Sequence, residues 1–228
     1  MLSAVIFDFD GIIVDTEPLH YRAFQAILEP MGFGYSWEAY VEVYMGYDDR
    51  DAFREAFRVR GADLEDRELE GLIARKAAAF QGIIASGVTP YPGVVELIRS
   101  IRASRPLALC SGALRSDILP ILEGLGLSNS FDVMVTADEV SASKPDPASY
   151  ALAVRRLTTT FPDRQIRPNT CIAIEDTPAG IASATGAGIG VLAVTNSYPA
   201  VRLGGARRVV DSLADVSLDD LVALTGQE

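Results

Sequence analysis

Four short stretches of this 228-residue chain carry side chains with matched chemical potential: Asp8-Phe9-Asp10-Gly11, Ser111-Gly112, Lys144-Pro145 and Glu175-Asp176. Several carboxylates with no histidine or thiolate among them make an oxygen-donor set suited to Mg²⁺ rather than to softer metals. Crowded together they would repel one another, so a cation and Lys144 are expected to supply the opposing charge. Ser111, the amide of Gly112 and Lys144 are donors of the kind that hold phosphoryl oxygens. A carboxylate beside a metal-bound phosphate can attack phosphorus. A second carboxylate two residues on is then free to work as acid and base.

Each stretch alone has a plainer explanation. Asp-x-Asp can end a strand, Ser-Gly can be a loop, a lysine before proline is commonly a solvated charge, and acids ahead of Thr177-Pro178 suit a helix start. Their order along the chain argues otherwise. Apolar, β-rich runs occur at Ser3–Phe9, Leu107–Cys110, Val133–Thr136, Cys171–Glu175, Ile189–Thr195 and, weakly, Arg208–Val210. Their hydrophobicity is continuous rather than alternating, which suggests strands buried on both faces. Helical patterns separate the later runs: Val94–Arg102, Ser116–Gly124, Pro147–Leu157 with Asp146 as N-cap, and Pro178–Thr185 with Thr177 as N-cap. Alternating strands and helices predict a parallel sheet covered on both sides. In such sheets ligands bind beyond the carboxyl ends of the strands, and all four stretches fall just past a run or on the loop that follows one.

Residues 16–86 break this rhythm. Leu19, Ala23, Ile27 and Met31 recur every four residues, Ala52, Phe53, Ala56 and Phe57 make a second apolar face, and Glu68–Ile84 makes a third. The predicted organisation is therefore an α/β core of residues 1–15 and 87–228, with a helical domain of residues 16–86 inserted after the first strand.

The remaining composition mostly excludes. The net charge of −11, from 20 basic and 31 acidic residues, argues against nucleic acid and anionic membranes as partners. There is no apolar run of membrane-spanning length and no basic leader at Met1–Asp8, so the expected location is the cytoplasm. The single histidine, His20, removes paired-histidine metal sites, and neither a Gly-x-Ser-x-Gly elbow nor a Gly-x-x-x-x-Gly-Lys-Ser/Thr loop occurs. Cys110 and Cys171 each border an apolar run and read as buried, reduced thiols. The chain is expected to act as a monomer.

Asp8-x-Asp10-Gly11-x-x-x-Asp15, Ser111-Gly112, Lys144-Pro145 and Glu175-Asp176-Thr177-Pro178-Ala179-Gly180, in that order, resemble the four motifs of the haloacid dehalogenase superfamily. The helical insertion resembles the type-1 cap of its β-phosphoglucomutase-like subgroup. The resemblance covers essentially the whole chain and implies a Rossmann-like parallel sheet with an inserted α-helical cap. It implies Asp8 as the nucleophile that becomes phosphorylated and Asp10 as general acid and base. Ser111, Gly112 and Lys144 would hold phosphate. Mg²⁺ would lie between Asp8, the carbonyl of Asp10 and Asp176, with Glu175 acting directly or through water. Asp15 would cap the first cap helix.

In the cap, Gly46-Tyr47-Asp48-Asp49-Arg50 looks like the family's substrate loop. The mutases carry an arginine three residues after that glycine, where this chain has Asp49; its own arginine, Arg50, comes one residue later. His20 reads as a substrate or hinge contact, or as a plain structural histidine. Lys76 reads as a cap lysine or a solvated one, and Arg115 as an anion contact or a helix-start charge. The implied activity is a Mg²⁺-dependent phosphatase of a small phosphorylated metabolite such as a sugar phosphate. A β-phosphoglucomutase-like mutase is the alternative, which Asp49 disfavours.

Overall fold

The computed structural model describes residues 1–45, 47 and 49–225. The chain divides into two compact units: Met1–Asp15 together with the chain from Val88 onward, and Thr16–Gly87.

The second unit is helical. Helix α1 (Glu17–Leu28) buries Ala23, Phe24, Gln25, Ile27 and Leu28. Its N-cap is Thr16, so Asp15 does not hold the capping position expected of it, and Met31 falls in the 3₁₀ turn Glu29–Met31 beyond the helix. Short α2 (Trp37–Ala39) starts where Ser36 Oγ accepts from the Ala39 amide at 3.3 Å, and it runs on into a π-helical turn, Tyr40–Tyr44. Helix α3 (Asp49–Val59) buries the predicted face Ala52, Phe53, Ala56 and Phe57. Helix α4 (Asp66–Ile84) buries Leu69, Leu72, Lys76, Phe80 and Ile84, a stripe at three- and four-residue spacing. These faces close one core, in which the Phe24 and Phe53 rings meet edge-on at 5.2 Å.

The other unit is a six-stranded parallel sheet: β1 (Ala4–Phe7), β2 (Leu107–Cys110), β3 (Val133–Val135), β4 (Cys171–Glu175), β5 (Gly190–Val194) and β6 (Arg208–Val210), in the order β3-β2-β1-β4-β5-β6. Val5 on central β1 lies opposite Leu107 and Ile172. The strand order reverses direction at β1 and β4, which makes the carboxyl ends of that pair the crevice where such folds bind ligands. Helices α5 (Val94–Arg102), α6 (Arg115–Gly124), α7 (Ala148–Thr160), α8 (Pro178–Gly186) and α9 (Leu218–Leu224) complete the unit. Alternate strand residues Ala4, Ile6, Ala108, Cys110, Cys171 and Ala173 share a core with Tyr150, Val154 and Leu157 of α7 and Ile181 and Ala184 of α8. The intervening residues Val5, Phe7, Leu109, Ile172 and Ile174 are equally buried, so the sheet is covered on both faces as its continuous hydrophobicity requires. Cys110 and Cys171 are free and buried, and burial pushes each thiol up to about 11.

Candidate active site

Asp8 sits one residue past β1 and Glu175 ends β4, so neighbouring strands deliver both carboxylates to the switch point. Lys144 arrives on the loop after β3 and joins them. Its Nζ donates to Asp8 Oδ1 at 2.5 Å, to Glu175 Oε1 at 2.6 Å and to the Cys110 carbonyl at 3.2 Å. Oxygens of Asp8, Glu175 and Asp176 all lie within 4.8 Å of one another, and all three residues are buried.

The two acids that end β4 are held differently. Glu175 is saturated. Oε1 accepts from Lys144 and from Tyr150 Oη at 2.9 Å, and Oε2 accepts from the amides of Asp176 and Thr177 and from Thr177 Oγ1, at 3.1–3.4 Å. Asp176 is not. Oδ2 accepts from Ser197 Oγ, whereas buried Oδ1 has no hydrogen-bond partner among the described residues. A fully buried carboxylate oxygen left bare is uncommon and calls for a ligand. The donors are all oxygens, so the residues fit a hard divalent cation such as Mg²⁺.

Electrostatics point the same way. Burial pushes the Asp8 carboxyl well above the usual range; Lys144 pulls it back, and Glu175 and Asp176 push it further up. Burial, together with Glu175 and Asp10, raises Asp176 to about 7 against the pull of Ser197. Burial works against the Lys144 ammonium, yet the Asp8 and Glu175 carboxylates hold its pKa above the ordinary value. Three buried carboxylates against one ammonium leave an excess of negative charge that a cation would relieve.

Two glycines make room for these acids. Gly11 turns the chain after Asp10 at φ +79°, and a Cβ there would meet Asp176 Oδ2 and Ser197 Oγ. A Cβ on Gly180 would collide with the Glu175 carboxylate. Gly180 also donates its amide to Thr177 Oγ1 at 3.0 Å, closing the N-cap of α8 as expected.

Ser111 follows β2 and is buried; its amide pairs with the Val135 carbonyl at 2.9 Å and its Oγ accepts from the Ala113 amide at 3.0 Å. Gly112 is exposed and Asp10 half-buried. Arg115 turns to the sheet edge, where Nη2 donates to the Met134 carbonyl and to Glu139, each at 3.2 Å. In the helical unit Lys76 is only 3% exposed, so it is no solvated lysine. Its Nζ donates to Asp49 Oδ1 at 2.7 Å and lies 2.9 Å from His20 Nδ1, while His20 stacks on Phe80 at 4.3 Å. Burial and the Lys76 charge lower His20 to about 3, so its ring is neutral and Nδ1 accepts. Arg50 is exposed, and Gly46 lies outside the described residues.

Sequence reasoning missed Tyr150, Asn196 and Ser197. Asn196 and Ser197 stand just past β5, where the sequence carries none of the four motifs, and Asn196 Nδ2 donates to the Gly11 carbonyl at 2.6 Å. Tyr150 carried no signal, because it occupies an ordinary apolar position of α7.

The profile of haloacid dehalogenase-like hydrolases matches residues 5–194. A phosphorylated carbohydrates phosphatase of Thermotoga maritima is 30% identical over 214 residues, covering 92% of this chain and 94% of the relative. Fructose-1-phosphate phosphatase YqaB of Escherichia coli is 29% identical, covering 82% and 93%. A crystal structure of CbbY from Rhodobacter sphaeroides in complex with xylulose-1,5-bisphosphate superposes with a TM-score of 0.83 at 27% identity, covering 97% of this chain and 99% of that one. The family match over residues 5–194 and relatives matched over nearly their whole length agree with the parallel sheet and the buried acidic cluster at its switch point: the chain is an enzyme of the haloacid dehalogenase-like hydrolase family.

Proposed function

We propose that the protein is a Mg²⁺-dependent phosphatase of a small phosphorylated metabolite, a sugar phosphate or similar, working through an aspartyl-phosphate on Asp8. The observation that carries this reading is the ion-paired knot of Asp8, Lys144 and Glu175 beside a buried Asp176 whose Oδ1 has no hydrogen-bond partner among the described residues. Relatives named as phosphatases of phosphorylated carbohydrates and of fructose 1-phosphate support the substrate class.

In this mechanism an Asp8 oxygen attacks phosphorus and the ester P–O bond breaks. Asp10 gives its proton to the leaving alkoxide. Water then attacks the phosphorus of phospho-Asp8, Asp10 takes up the proton, and the Asp8–phosphorus bond breaks to free phosphate and restore the carboxylate. Lys144 holds Asp8 in place and, with Ser111 and the Gly112 amide, binds the transferring oxygens. Asp8, the Asp10 carbonyl and Asp176 would hold Mg²⁺, which supplies charge neutralisation between nucleophile and phosphate. Glu175 has its oxygens occupied and acts as the anion that organises Lys144, Tyr150 and Thr177 rather than as a direct ligand.

The mutase alternative needs a cation to grip a second phosphate. In the helical unit the charge of buried Lys76 is already met by Asp49, and Asp49 itself puts a carboxylate where the mutases carry their arginine. That pairing favours net hydrolysis. A screen of phosphorylated metabolites with Mg²⁺, assayed for both phosphate and isomerised ester, tests the proposal. The expected result is phosphate release with little isomer. Faster conversion of a hexose 1-phosphate to its 6-phosphate than release of phosphate would hand the reading to the mutase, and no turnover of any phosphate ester would overturn both.

A further inference from the structure

The loop after β5 reaches into the carboxylate group twice. Ser197 Oγ donates to Asp176 Oδ2, and Asn196 Nδ2 donates to the Gly11 carbonyl at 2.6 Å. These contacts converge. The Cβ that Gly11 lacks would strike both Asp176 Oδ2 and Ser197 Oγ, so turn, acid and hydroxyl meet at one point with no space between them. Asp176 is fully buried, and its second oxygen, Oδ1, is left without a partner among the described residues.

A carboxylate held at neither oxygen can rotate about its Cβ–Cγ bond and offer either one. With Oδ2 tied to Ser197, the ring-like arrangement of Gly11, Asp176 and Ser197 leaves one orientation, and Oδ1 is the oxygen presented. Donors that fix a ligating carboxylate from behind shape a metal site as much as the ligands do. Asn196 does the corresponding work on the backbone, since its grip on the Gly11 carbonyl fixes the turn that follows Asp10.

We infer that Asn196 and Ser197 are positioning residues for the divalent cation. Ser197 aims Asp176 Oδ1, and Asn196 sets the Asp10–Gly11 turn. The inference rests on the cation site proposed above and adds the fifth strand end to the four that the sequence motifs mark. Ser197 is exposed and Asn196 half-buried, so neither side chain belongs to the core and either substitution is expected to leave the fold intact.

The test is calorimetric titration of the metal-stripped protein with Mg²⁺, run on the native chain, Asp176→Ala, Ser197→Ala, Ser197→Thr and Asn196→Ala, with the Mg²⁺ dependence of turnover measured alongside. Asp176→Ala reports on the site itself: if it binds Mg²⁺ as the native chain does, the cation site is misplaced and the inference falls with it. If Asp176→Ala loses binding, Ser197→Ala is expected to weaken Mg²⁺ by about 10–100-fold. Ser197→Thr, which keeps the hydroxyl, should restore most of that affinity, and the activating Mg²⁺ concentration should rise while KM for the phosphate ester stays put. Asn196→Ala should shift Mg²⁺ affinity in the same direction. Native affinity in Ser197→Ala, or a loss that threonine does not rescue, overturns the inference while leaving the phosphatase reading standing.

Discussion

In the proposed mechanism Asp8 is the residue on which the chemistry turns, and asparagine is its near-isostere with no comparable nucleophilicity. Asp8→Asn should keep the fold and lose at least about 4 kcal/mol of transition-state stabilisation, roughly a thousandfold in turnover. Near-native turnover in the folded variant would remove covalent catalysis from the account. Tyr150 is a quieter case. Its hydroxyl is buried and donates to a buried carboxylate, and burial together with Glu175 keeps that phenol protonated. Tyr150→Phe leaves Glu175 Oε1 short of one donor, at a cost of about 1–3 kcal/mol in unfolding free energy, measurable from a denaturant midpoint. An unchanged midpoint would mean that Lys144 alone satisfies Glu175. His20 gives a pH dependence. It titrates near 3 in the folded protein and near 6.5 when unfolded, so between those values the unfolded chain binds the proton and the folded one does not. Its contribution is therefore present above about pH 6.5 and lost on acidification. His20→Asn keeps an acceptor for Lys76 and cannot titrate. The stability difference between native and variant should shrink from about pH 7 to about pH 5, and a constant difference would contradict the neutral, buried imidazole.

At the scale of elements, the glycines separate space from propensity. Gly180 on α8 has the Glu175 carboxylate where its Cβ would be, whereas Gly71 on α4 has nothing within 4 Å. Gly180→Ala should destabilise by about 1–3 kcal/mol, and Gly71→Ala should stabilise by about 0.5–1 kcal/mol. Equal effects of the two on thermal unfolding would mean that the Glu175 pocket is not tight. These elements also show what could be read without coordinates. Strands Leu107–Cys110 and Cys171–Glu175 fall where the apolar runs place them, because a central parallel strand is buried on both faces and shows it; the weak run Arg208–Val210 is the edge strand, and it is only partly buried. The first run extends to Phe9, but the strand stops at Phe7: Phe9 is buried in a turn, its carbonyl accepting from the amides of Ile12, Ile13 and Val14. Helix α7 outruns its predicted end at Leu157 to reach Thr160. Thr158, Thr159 and Thr160 bond back to the carbonyls four residues earlier, local bonds that a propensity scale does not anticipate. Among site residues, the motif acids were legible from their places at strand ends, and Lys144 from the loop that follows β3. The burial of Lys76 was legible too, since it occupies the 69-72-76-80-84 stripe of α4, but its lysine identity argued for solvent. What Asn196 and Ser197 touch depends on two distant chain segments meeting, which no spacing reveals.

For the molecule as a whole, a net charge of −11 and a buried acidic group at the sheet's switch point would make the proposed divalent cation a structural as well as a chemical participant. No helix among the described residues is long and apolar enough to cross a membrane. Asp176 is raised to about 7, so without metal the folded protein holds a proton that the unfolded chain releases near pH 4. That contribution is present at low pH and declines as pH rises towards 7. Bound Mg²⁺ requires the carboxylate form, so it should stabilise by about 2.7 kcal/mol at about pH 8 when Mg²⁺ is at a hundred times its Kd, and by less at about pH 5.5 for the same Mg²⁺ concentration. Thermal unfolding with and without Mg²⁺ at the two pH values measures this, and an equal shift at both would place the ion away from Asp176. The central claim is that Asp8 itself carries the phosphoryl group. The most direct test is rapid acid quench of Asp10→Asn mixed with Mg²⁺ and an aryl phosphate whose leaving group needs no proton, followed by peptide mass mapping. Because Asp10 is absent as base, the second step should lag and the phosphoryl group should be found on the peptide holding Asp8. Release of phosphate with no labelled peptide, or a label on Ser111 instead, would contradict the account.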